Sequence, residues 1–119
     1  MKIEFGGKER GFQWGMGCLE LFCELMGTGF EGLELLDDPS PIGHKAYVNL
    51  FLAAMINYAE LNDEAIDFSY RKVQFWIDEA PEGTMKTLIQ DWKKSKYMGK
   101  AVEDYFGNVA VGGDSEEKK

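Results

Sequence analysis

The chain has 119 residues, of which 45% are hydrophobic, 13% aromatic and 29% charged. That is enough for one globular domain with a modest core and too little for two. With 21 acidic residues against 13 basic ones, the formal charge is −8 and the pI about 4.6. The balance argues against nonspecific binding to nucleic acid or anionic membranes, and the aromatic content argues against a chain kept disordered by its charge.

Residues 2–14 alternate apolar and polar positions at Ile3/Phe5 and again at Phe12/Trp14, around a Gly6-Gly7 pair suited to a tight turn. The pattern predicts a small β-hairpin whose apolar face, Ile3, Phe5, Phe12 and Trp14, must lie on something helical, because an isolated hairpin is marginal in water. No export signal is read in this segment, since charge appears at Lys2 and the glycines precede any long apolar stretch.

Over residues 16–26, Met16, Leu19, Phe22, Cys23 and Met26 recur at helical intervals, with Leu21 and Leu25 forming a second apolar edge. The spacing predicts a central helix stopped by Gly27. A short apolar patch, Phe30, Leu33, Leu35 and Leu36, runs into a loop marked by Pro39 and Pro41. Tyr47, Leu50, Phe51, Ala54, Met55 and Tyr58 then form one face of a long helix, whose alanines 46, 53, 54 and 59 let a neighbour approach closely. This longest apolar run, residues 47–59, is interrupted by Asn49 and Asn57 and falls short of the ~20 residues a bilayer span requires. A soluble, cytoplasmic protein is the expectation.

After an acidic linker, Ser69 is the expected N-cap of a helix with the stripe Tyr70, Val73, Trp76, Ile77 and Ala80, bounded by Pro81. Met85, Leu88, Ile89 and Trp92 make another stripe, and Lys93, Lys94, Lys96 and Lys100 gather at its end, where cations suit the helix dipole. Residues 101–106 add a helical turn, and 107–119 read as a flexible charged tail. The fold class is therefore mainly α: a single domain over residues 1–106, built as a small bundle of about four to five helices with the N-terminal hairpin packed on it.

No reactive constellation assembles. Gly15-Met16-Gly17 opens a helix after a strand, but Glu20 stands where the dinucleotide fingerprint has its third glycine, and no βαβ pattern follows. The carboxylate clusters Asp63/Glu64/Asp67 and Asp78/Glu79/Glu82 and the pair Glu20/Glu24 read as solvated faces and caps. His44 is a lone surface histidine. Cys18 and Cys23 sit roughly 140° apart around a helix, unable to bridge and too few for a metal site. Neither cofactor nor metal is expected, nor enzymatic activity. The lysine cluster beside Trp92 and Tyr97 reads as a helix end rather than a single-strand binder. Residues 18–44 hold six acids and no Lys or Arg, while 86–100 hold five lysines and only Asp91. Such polarity can align subunits or a charged partner helix.

The hairpin followed by Phe12-Gln13-Trp14-Gly15-Met16 and then Leu19, Phe22, Glu24 and Gly27 resembles the opening of tail assembly chaperones from long-tailed phages and prophages. Residues 50–55, Leu-Phe-Leu-Ala-Ala-Met, are similar to the family's small-residue helix, and residues 68–78 to its capped helix with an aromatic-aliphatic-acid end. The match covers roughly residues 3–95; the lysine-rich 93–100 and the double-glycine tail depart from it. The resemblance implies a non-enzymatic protein of the bacterial host cytoplasm that binds the tape measure protein, keeps it soluble and helps recruit tail tube protein. A tape measure is a long helical chain with an apolar stripe, which many small acidic copies can cover and keep dispersed. The candidate apolar contacts are Ala46, Ala53, Tyr70, Phe75 and Trp76, and the candidate charged contacts Lys93, Lys94, Lys96 and Lys100; self-association is a further expectation. The alternatives are a structural head or tail completion protein and an acidic inhibitor that mimics nucleic acid, the latter weakened by the lysine cluster. The family often makes a longer product by ribosomal frameshifting, and residues 116–119, Glu-Glu-Lys-Lys, are compatible with a slippery A AAA AAG. Sequencing the gene checks this: last codons other than AAA AAG, with no overlapping frame downstream, remove that support.

Overall fold

Gly6 and Gly7 take φ values of 69° and 87°, the left-handed conformations that let a two-residue turn follow the natural twist of its strands. In the computed structural model, which describes residues 1–105, they join β1 (Lys2–Phe5) to β2 (Lys8–Gly11) in an antiparallel hairpin that pairs Ile3 with Arg10 and Phe5 with Lys8. Pairing continues one step beyond the strands, where Met1 and Phe12 exchange two backbone hydrogen bonds of 2.8 Å. The chain then leaves the ladder and is pinned along a helix. The Gln13 N–H donates to the Ala54 carbonyl at 3.1 Å, and Asn57 Nδ2 donates to the Gln13 carbonyl at 3.0 Å.

Helix α1 (Met16–Met26) stops at Gly27, whose φ of 72° allows its own N–H and that of Thr28 to cap the Cys23 carbonyl. A 3-10 helix (Phe30–Asp37) follows where the sequence shows only an apolar patch, burying Leu33 and Leu36. Helix α2 (Pro41–Leu61) begins at Ser40, whose hydroxyl accepts from the Ile42 N–H at 3.2 Å, and Pro41 occupies its first turn. The second proline thus starts the helix instead of prolonging the loop.

The centre of the bundle is α2, and this corrects the expectation for α1, which exposes Met16 and Leu25. Residues 48–55 are buried without interruption, on every side of the helix. The cause is its neighbours: α1, the 3-10 helix, β2 and α3 all pack on it. The stripe through Leu50 and Phe51 is therefore one of several covered faces, and even Asn49 is buried, its Nδ2 lying 3.2 Å from Met26 Sδ.

Helix α3 (Tyr70–Glu79) is capped by Ser69, whose hydroxyl accepts from the Lys72 N–H at 3.4 Å. It buries Val73. Helix α4 (Thr84–Lys94) buries Leu88 and Trp92. The Trp92 Nε1 hydrogen finds no acceptor among the described residues. Beyond α4 the sequence reading missed a second, minimal hairpin, β3 (Lys96–Tyr97) and β4 (Lys100–Ala101), turned by Met98 and Gly99 at φ 53° and 90°. Two-residue strands leave no periodic signal to read. A single turn, α5 (Val102–Tyr105), follows, with Val102 buried. Residue 106 of the expected domain and the expected flexible tail lie outside the described residues. The architecture is a mainly α bundle carrying an N-terminal hairpin, as expected. No helix among the described residues is long and apolar enough to cross a membrane.

Irregular residues 62–69 are tied back to the hairpin by Asp67, which accepts from Arg10 at 2.7 Å and pairs with Lys8 at 3.0 Å. The hydrogen bond from Arg10, then that from Lys8, lowers its carboxyl to about 2 from an ordinary 3.8. A carboxyl held low stabilises the fold above its unfolded value, and the gain disappears as pH falls through the folded one. Because Asp67 is about half exposed, screening reduces its contribution to ~1 kcal/mol. Urea melts of Asp67→Asn are therefore expected to show that deficit at neutral pH. The two proteins should converge between about pH 4 and pH 2; a deficit unchanged at pH 2 contradicts the assignment.

Candidate interaction surface

Trp76 is the meeting point of the hairpin and α3. Its ring lies edge-on to Phe5 with centroids 5.9 Å apart, and a Cβ at Gly6 would fall inside the indole. Arg10 covers the ring, its guanidinium carbon 4.2 Å from the centroid. The same guanidinium donates to the Phe5 carbonyl at 2.6 Å and to the Gly6 carbonyl at 3.3 Å, besides its bond to Asp67. Only 8% of the Arg10 side chain is exposed. Trp76, expected as a partner contact, is thus fixed by the fold while its ring stays partly exposed.

Sequence reasoning passed over Arg10, although a signal was there. Counting by twos from Ile3 and Phe5 and back through the turn puts Arg10 on the apolar face beside Phe12. An arginine at such a position announces a buried hydrogen-bonding and cation–π role.

Phe75 behaves differently. One position before Trp76 on α3, it turns outward with 60% of its surface exposed, between two shallow depressions. One is walled by the hairpin turn, Trp76 and Pro81, the other by His44, Tyr47 and Met85. Tyr70 is half-buried against the core. Ala46 and Ala53 are completely buried, which corrects their assignment as partner contacts. Their small size admits the neighbours that enclose α2 and leaves no surface to share.

The lysines do not form one helical cluster. Lys93 and Lys94 occupy the last turn of α4, whereas Lys96 and Lys100 belong to the two strands of the second hairpin. Lys96 lies opposite Ala101 and Lys100 opposite Tyr97, so successive pairs point to opposite faces.

Among the described residues, no group of three or more His, Cys, Asp or Glu side chains could hold a metal ion. Cys18 and Cys23 are unbridged. Burial pushes the Cys18 thiol far up; burial first, and Glu31 second, raise that of Cys23. Both are disfavoured as thiolates, the reactive form of cysteine. No protein-family model, curated protein or solved structure matches the chain.

A pair of substitutions separates core from surface. Ala53→Leu is expected to destabilise the protein by ~1–3 kcal/mol, because α2 has no room for a larger side chain. Phe75→Ser should stay within ~0.5 kcal/mol of the parent. Chemical melts measure both, and a large loss from Phe75→Ser would place that ring in the core.

Proposed function

We propose that this chain is a tail assembly chaperone of a long-tailed phage or prophage. It binds the tape measure protein by a non-enzymatic contact, keeps it soluble in the host cytoplasm and helps recruit tail tube subunits. The reading rests on the sequence resemblance over residues 3–95. The observation that carries it structurally is Phe75, an exposed aromatic ring between two depressions on α3. An amphipathic helix recognises such a surface by placing successive apolar residues into neighbouring hollows. The −8 charge of each copy disperses a complex whose apolar stripe is covered.

Co-expression with a tape measure fragment that is insoluble alone tests the reading. The fragment should become soluble and co-purify with the wild-type chain. Phe75→Ser should lose the fragment while melting like the parent. A fragment that stays insoluble beside the wild-type chain overturns the proposal, and persistence of this protein in purified particles would favour a structural completion protein instead.

A further inference from the structure

Four of the large apolar side chains exposed on the described surface, Met1, Met16, Leu61 and Met98, border a single open depression of about 640 Å³. They come from the residue before β1, the start of α1, the end of α2 and the turn of the second hairpin, so no sequence period announces them. Met16 is 58% exposed, and Leu61 and Met98 are each 65% exposed. Between them lies Trp14, 5% exposed and fixed by its Nε1 hydrogen bond to Asp91 Oδ2 at 2.6 Å. Asn57 Nδ2 holds the adjoining Gln13 carbonyl. The floor is therefore ordered in advance, while methionines at the rim can adapt their shape to what lies on them.

The lining of this depression differs in charge from the rest of the described surface. No Asp or Glu lines it, and Lys96 does. The depressions on either side of Phe75 and the one beneath residues 64–68 each include at least one carboxylate. Asp91 accepts the Trp14 indole N–H and is not among the residues that line the depression. A bordering group on a docked segment meets this lining by direct contact, where Lys96 is the ionised side chain it finds.

We propose that the depression docks a partner protein segment presenting an apolar side-chain stripe bordered by carboxylates. The apolar stripe covers Met16, Leu61 and Met98, and a bordering carboxylate meets Lys96. This surface is separate from Phe75 and stands whether or not the chain serves tail assembly.

The full-length protein, labelled at its methionine methyl groups, can be titrated with two synthetic amphipathic helical peptides sharing one leucine stripe. One is bordered by glutamates and the other by lysines. The glutamate peptide should shift the Met16 and Met98 methyl signals saturably, leave buried Met55 unmoved, and bind about fivefold more tightly than the lysine peptide, as exposed ion pairing allows. Lys96→Glu, at an exposed position, should abolish or reverse that preference. Leu61→Asp, with an unchanged melt, should weaken both peptides. Absence of saturable shifts, equal affinities, or shifts confined to other methyls overturns the proposal. Movement of the same methyls with protein concentration alone would overturn it too, by assigning the face to a second copy of this chain.

Discussion

The structure depends on the aromatic interlock between the hairpin and α2. Phe12 stacks on Trp14 at 5.8 Å and meets Phe5 and Phe51 edge-on at 5.6 and 6.3 Å. Trp14 also meets Phe51, at 6.4 Å. Such pairs add ~0.5–1.5 kcal/mol each beyond the area they bury, and a two-stranded hairpin needs packing of this kind against a helix to persist in water. The interlock also organises what surrounds it. Phe5 passes the contact on to Trp76 of α3, and Trp14 reaches α4 through Asp91. A short strand pair and the residues just after it thereby join three helices that lie far along the chain from it.

Enclosure of α2 follows from the same arrangement. Once the hairpin covers one side and α1 with the 3-10 helix covers another, little of its middle remains for solvent, and residues 48–55 must all be apolar or satisfied. A helix buried all round loses the contrast between faces from which amphipathic helices are read. The stripe through Tyr47, Leu50 and Phe51 is genuine but incomplete, and the alanines that resembled a docking surface are the small residues that enclosure demands.

Polar groups set the seams between these elements. Arg10, nearly buried, satisfies two hairpin carbonyls, covers Trp76 and holds Asp67, so one side chain couples the turn, α3 and the linker before it. Most of the acidic excess remains outside. Against that background, a depression lined by a lysine and no carboxylate is a local feature that neither composition nor net charge could disclose.

Much of the molecule was legible in its residues because the signals are local. Gly6-Gly7, Gly27, Ser69 and the apolar intervals of α1, α3 and α4 act through backbone conformation, capping and helical period, which operate within a few positions. The mainly α class and the hairpin follow from these, and the helical spacing of Cys18 and Cys23 agrees with their being unbridged. Only tertiary structure decided that α2 is central, that Ala46, Ala53 and most of Trp76 belong to the interior while Phe75 does not, and that Met1, Met16, Leu61 and Met98 converge. Burial and convergence are set by which elements pack together, and residues up to 97 positions apart share that depression; periodicity within one element carries no record of its neighbours.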